Sequence, residues 1–174
     1  MGIYFNPCND SFACDKNSAI YVDKTELINY LNSVLGTNSK YIAVSHARRF
    51  GKSHAAGMID AYYSLGCDST QLFEDTRIAS DSDYNKYRNK YNVIHLDIST
   101  FWDSYKDNII EKIVEYVYKD FKAAFGETLD YEDSFSYNLM KIYQNTGIPF
   151  VIIIDEWDCI IRNSGDDELV HRYL

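Results

Sequence analysis

The sequence lacks any long apolar run. No stretch approaches the ~18–20 residues a membrane-spanning helix needs, and the longest, residues 148–154, has the length of a strand. It has no CxxC pair, and no histidine neighbours Cys8, Cys14, Cys67 or Cys159, so reduced cytosolic thiols are the expected state. Its start, MGIYFNPCND, lacks the basic and apolar segments of a signal peptide. Gly2 sits where N-myristoylation would need it, but Asn6 replaces the required Ser or Thr. A cytoplasmic protein, neither membrane-spanning nor lipid-anchored, is expected.

An excess of positive charge is missing too. The formal net charge is −9. Residues 1–90 carry 10 Lys/Arg against 10 Asp/Glu, and residues 91–174 carry 7 against 16, so the second half holds the whole excess. Such a surface repels phosphate backbones, and non-specific nucleic-acid binding is mostly electrostatic. No direct nucleic-acid binding is expected from this segment. Internal repeats and low-complexity linkers are also absent.

What is present suits one globular domain. The chain has 174 residues, within the ~100–200 residues of a typical domain. Its 46% hydrophobic and 25% charged residues match ordinary globular proteins and exclude a disordered tail or a rod. With 16 Tyr and 9 Phe, there is bulk enough for a core.

Periodicity alternates strands with helices. Residues 1–20 are polar and irregular. Asp23 and Glu26 fit a capping box for a helix with Leu27, Ile28, Leu31, Val34 and Leu35 on one face and Gly36 as its stop. Residues 41–45 (YIAVS) read as a short buried strand, and residues 52–65 as a helix ended by Gly66. Residues 71–90 are weakly patterned and read mostly as loop. Residues 93–98 form a second strand. Thr100, with Asp103, is expected to cap a helix carrying Ile109, Ile110, Ile113, Val114, Val117 and Phe121 inward and closed by Gly126. A helix over 134–145 and a strand over 149–154 follow. That strand is rich in β-branched residues, as fits one covered on both faces. A last helix begins at Asp166. Strands alternating with helices predict an α/β fold with a parallel sheet flanked by helices.

The informative segment is YIAVSHARRFGKSHAAGMIDAYYS. A strand, an eight-residue loop ending Gly51-Lys52-Ser53, then a helix is the layout of a phosphate-binding P-loop. Gly51 lets backbone approach a phosphate closely. Amides at the helix start face an anion, and the helix dipole favours negative charge there. Lys52 can reach terminal phosphates, and the Ser53 hydroxyl is placed to ligate Mg²⁺. The general pattern G-x-x-x-x-G-K-[ST] has glycine where this chain has His46, a residue that tolerates positive φ better than most. Arg48 and Arg49 add positive charge. The tripeptide Gly-Lys-Ser alone is common and also fits a solvent-facing turn; the strand–loop–helix context carries the assignment.

A second motif lies downstream. Val151-Ile152-Ile153-Ile154-Asp155-Glu156 is a hydrophobic strand ending in two carboxylates, the look of a Walker B segment. Asp155 would hold the Mg²⁺ shell, and Glu156 would orient and deprotonate an attacking water. The Asp-Glu pair favours hydrolysis over transfer to a substrate hydroxyl. His54 and His95 stand alone, without metal-ligand spacing, and read as structural. Asp97, near a strand end, suits either a site or a helix cap. No carboxylate pair with a neighbouring lysine stands out as a nuclease site.

These stretches resemble the predicted AAA-ATPase-like family, bacterial P-loop proteins that often carry a restriction-nuclease-like domain after the ATPase. The resemblance rests on Tyr21-Val22-Asp23-Lys24-Thr25 with Glu26-Leu27-Ile28, on Arg48-Arg49-Phe50-Gly51-Lys52-Ser53, and on Asp155-Glu156-Trp157-Asp158. It covers essentially the whole chain. In that family the first P-loop glycine is normally missing, with Arg-Pro before the Arg-Arg. Here that pair is His46-Ala47, Trp157 stands where Tyr is usual, and Cys159-Ile160 replace a common Lys-Pro.

The resemblance implies one AAA-ATPase-like domain over 1–174: an N-terminal segment and helix (1–40), a P-loop strand–loop–helix (41–66), and a second strand, helices and the Walker B strand (91–160). It implies ATP and Mg²⁺ as cofactors. Arg48, Arg49, Phe50, Gly51, Lys52 and Ser53 would bind nucleotide, Ser53 and Asp155 metal, and Lys52 and Glu156 would be catalytic. Asp23 and Lys24 would sit near the nucleotide. A longer form would couple hydrolysis to an effector or nuclease-like domain. The strand that separates P-loop and Walker B strands is expected after Walker B, so the chain reads as ending mid-fold, with weak or no hydrolysis alone. The alternative is a catalytically inactive nucleotide-binding or scaffold module.

Overall fold

A computed structural model of the chain describes residues 2–45, 49–126, 129–131 and 133–174, with the backbone alone at position 107. The chain forms two compact units, Cys8–Asn92 and Met1–Pro7 with Val93–Leu174. The architecture is mixed α/β, with a two-stranded parallel sheet flanked by helices.

The unit of Cys8–Asn92 is helical: α1 (Asp10–Lys16), α2 (Glu26–Val34), α3 (Lys52–Tyr63), α4 (Thr70–Phe73), a 3₁₀ turn (Arg77–Ser80) and α5 (Tyr84–Tyr87). Its core is aromatic. Phe12 stacks on Phe73 with centroids 4.8 Å apart, and Tyr62 meets Phe73 edge-on at 5.4 Å. α1 lies close against α3 because position 57 is glycine: a Cβ there would stand 2.7 Å from Ser11 Oγ. Two tyrosine hydroxyls in this core are paired, as desolvated donors generally are. Tyr63 Oη donates to Asn32 Oδ1 at 2.6 Å, and Tyr62 Oη to the Tyr84 carbonyl at 2.8 Å. Burial pushes the Tyr62 hydroxyl up to about 12 and the Tyr63 hydroxyl higher still, so both stay protonated donors.

The other unit starts with residues 2–7, whose Phe5 bridges antiparallel to Ile94 in β1 (Asn92–Asp97). Asp120 accepts from the Tyr4 and Phe5 amides at 2.7 and 3.1 Å and so pins this segment. Then follow α6 (Ile98–Tyr105), a 3₁₀ turn (Lys106–Asn108), α7 (Ile109–Phe125), α8 (Phe135–Thr146), β2 (Phe150–Asp155), α9 (Cys159–Asn163) and α10 (Asp167–Tyr173). The expected stripe on α7 packs inward through Ile109, Val117 and Phe121. Ser134 caps α8, accepting from the Tyr137 amide, and Asp166 caps α10.

Several sequence expectations need correction. Residues 41–45 form no strand among the described residues; Tyr41 is 85% and Val44 56% exposed. A strand exists by pairing its backbone groups, and β-branched composition alone does not supply a partner. Residues 71–90 are mostly short helical turns rather than loop, because Phe73, Ile78 and Tyr84 are buried. Residues 10–16 are helical, anchored by buried Phe12. The helix after β1 is capped by Asp97, which accepts from the Ser99 and Thr100 amides, rather than by Thr100. It also breaks at Lys106, where φ is 29°. β2 is not covered on both faces: Ile152 and Ile154 are 50% and 47% exposed.

Candidate functional site

The Gly51-Lys52-Ser53 segment sits in the unit of Cys8–Asn92. α3 begins at Lys52, with Gly51 as N-cap in the left-handed conformation (φ 77°, ψ 36°). Arg49 is left-handed too, at φ 68°, a conformation that costs a residue with Cβ some strain. Two left-handed residues around Phe50 curl the backbone into the start of a twelve-residue helix. Lys52 and Ser53 occupy that helix's first turn, where its positive dipole end favours an anion. His46, Ala47 and Arg48 lie outside the described residues.

Lys24 closes on this loop. Its Nζ donates to the Phe50 carbonyl at 2.7 Å, and a Cβ at Gly51 would stand 2.6 Å from that ammonium. The alternation around Lys24 explains how it gets there. Asp23 turns the other way, accepting from the Thr25 and Arg77 amides, both at 2.8 Å. Thr25 Oγ1 accepts from the Ile78 amide at 3.1 Å. Asp23 is therefore not the helix cap expected from the capping box; Thr25 holds that position. Burial works to raise the Asp23 carboxyl, but the Thr25 and Arg77 hydrogen bonds outweigh it and hold it below the ordinary value.

Two features escaped sequence reasoning. His54 Nδ1 lies 2.6 Å from Asp15 Oδ1, so a histidine read as solitary is oriented by a carboxylate from α1. A groove of about 300 Å³ also opens beside Gly51, with Asp15, Ile20, Val22, Lys24, Arg49 and His54 among its lining. No signal in the sequence joins α1 to the loop before α3; only the close packing of α1 on α3 does.

The acidic strand end belongs to the other unit. Asp155 closes β2 and accepts from the Glu156 amide at 2.9 Å. Glu156 is left-handed (φ 50°), and its carboxylate pairs with Arg162 Nη2 at 2.7 Å. Arg162 Nε also reaches Asp158 at 2.8 Å. The sheet is parallel, so Asp97 ends β1 at the same sheet edge, but its carboxylate is engaged in capping α6. Among the described residues, no group of three or more His, Cys, Asp or Glu could hold a metal ion by itself. No helix among them is long and apolar enough to cross a membrane.

A family model described as Predicted AAA-ATPase (AAA-ATPase-like) matches residues 10–174. No curated protein and no solved structure matches the chain.

Proposed function

The chain belongs to the predicted AAA-ATPase-like family, and from that membership we propose that it is a Mg²⁺-dependent P-loop module that binds and hydrolyses ATP. The observation that carries the reading is the loop before α3: left-handed Arg49 and Gly51 lead into a helix whose first residues are Lys52 and Ser53. That geometry suits a phosphate chain resting on backbone amides, with Lys52 reaching the terminal phosphates and Arg49 and Phe50 completing the loop. Arg48 is assigned the same role from its place in the motif.

The donors proposed for Mg²⁺ are the Ser53 hydroxyl and the Asp155 carboxylate. Both are hard oxygens, which fit this ion. Mg²⁺ usually keeps several waters and takes phosphate oxygens for most of its shell, so each donor suits it. When bound, the ion would neutralise charge on the phosphates. Glu156 orients the attacking water and takes its proton, exchanging Arg162 for that water. Coupling to an effector or nuclease-like domain in a longer form belongs to the same proposal.

Isothermal titration with Mg²⁺–ATP and a phosphate-release assay test it. In a longer form, Lys52→Ala is expected to abolish nucleotide binding, and Glu156→Gln to keep binding and lose turnover. Binding without phosphate release in a longer form would make this an inactive nucleotide-binding module. No binding would remove the reading altogether.

A further inference from the structure

The groove beside Gly51 has a polarity that the phosphate loop alone does not explain. Residues 20–24 contain no helix, and burial along them alternates. Tyr21 and Asp23 are partly buried and Thr25 is fully so, whereas Ile20, Val22 and Lys24 are exposed. In an extended segment, residues two apart share a face. One face of this run therefore reads apolar, apolar, cationic, with the cation at the loop end, where Lys24 touches the Phe50 carbonyl.

Ile20 and Val22 are 86% and 65% exposed, yet both line the groove. Phe12 and Met58, each almost fully buried, also line it. The inward residues fix the run in place: Phe12 meets Tyr21 edge-on at 6.1 Å, and Asp23 and Thr25 are tied to the turn at Arg77 and Ile78. The apolar lip is thus held by the fold on a rigid support. His54, oriented by Asp15, lines the same groove, its Cδ2 3.7 Å from where a Gly51 Cβ would lie.

Resting on the nucleotide reading above, we infer that this groove seats the nucleoside half of the bound triphosphate, with Ile20 and Val22 covering the flat face of its base. The match is one of chemical order. A nucleoside triphosphate runs from an anionic chain through a polar sugar to a planar, weakly polar ring. The groove runs from Gly51 and Lys24, with His54 beside the loop, to two exposed aliphatic side chains. A base laid on them removes apolar surface of both partners from water, which is favourable in proportion to area.

The test compares Mg²⁺–ATP with Mg²⁺–tripolyphosphate, which has the anionic chain and no nucleoside, by isothermal titration on the full chain. Unsubstituted protein is expected to bind ATP at least about tenfold more tightly than tripolyphosphate. Ile20→Ser with Val22→Ser is expected to weaken ATP binding by about tenfold, the effect of burying part of two aliphatic side chains, and to leave tripolyphosphate binding unchanged. Both side chains are solvent-exposed, so the double variant should keep its melting temperature. Equal affinity for the two ligands in the unsubstituted protein would overturn the nucleoside seat and leave the phosphate-loop reading standing. So would a double variant that loses both ligands alike or neither. Failure of both ligands to bind the unsubstituted protein would sink the phosphate-loop reading and the seat with it.

Discussion

Lys24 donates from its ammonium to the Phe50 carbonyl at 2.7 Å, which ties the segment before α2 to the loop before α3. The contact fixes a carbonyl between two left-handed residues and brings a second cation to a helix start that already carries Lys52. Lys24→Met keeps the aliphatic stem and removes the charge. ATP affinity is expected to fall about tenfold, the scale of one charge-assisted hydrogen bond, with little change in melting temperature because the side chain is exposed. Titration calorimetry with a parallel melting curve reads both.

Gly51→Ala tests the loop conformation itself. At φ 77° an alanine is strained by roughly 1–2 kcal/mol, and its Cβ would force the Lys24 ammonium away from a 2.6 Å approach. The variant is expected to fold with that loss of stability, seen in urea denaturation, and to lose ATP binding. Gly51→Asn, a residue that tolerates the left-handed region better, should recover part of the stability without recovering binding.

The Glu156–Arg162 pair makes a kinetic prediction. Glu156→Gln is expected to reduce phosphate release by ~10²–10⁴-fold, the usual contribution of a general base, while ATP still binds. Arg162→Ala frees the Glu156 carboxylate from its 2.7 Å partner and should shift turnover with little change in melting temperature, since exposed ion pairs contribute little. An unchanged rate in both variants would remove Glu156 from the reaction.

Asp23 links stability to pH. Its carboxyl is held below the ordinary 3.8 in the folded chain, so the stabilisation is complete above 3.8 and is lost as pH falls through the lower, folded value. Asp23→Ala is expected to destabilise the protein at pH 7 by about 1 kcal/mol, the net scale of a hydrogen-bonded carboxylate. The gap from the unsubstituted protein should narrow below pH 3.8. Chemical denaturation at pH 7 and pH 3 measures it; a gap that widens in acid would contradict the assignment.

The cysteines should differ in reactivity. All four are free thiols. Burial and the neighbouring Cys8 thiol push Cys67 up to about 12, so almost no thiolate forms at neutral pH, and the thiolate is the nucleophile. Cys14 is exposed. Limited iodoacetamide treatment followed by peptide mass mapping is expected to modify Cys14 well before Cys67 and before buried Cys159.

What the sequence by itself determined are features written in neighbouring residues. The start of α3 at Lys52, the apolar stripe of α7, the helices beginning near Ser134 and Asp166 and the strands closing near Asp97 and Asp155 all follow from spacing or from side chains within one helical turn. The tertiary structure decided what depends on residues distant along the chain. Residues 41–45 have strand-like composition but no pairing partner among the described residues. Phe12, Phe73 and Ile78 order segments whose local pattern is weak. Lys24 meets Phe50, and Asp15 meets His54, only because α1 and the run before α2 pack beside α3. Local signals set where elements begin and which face is apolar. Which backbone groups are paired, and which side chains share a groove, is fixed by long-range burial, and no short window of sequence contains it.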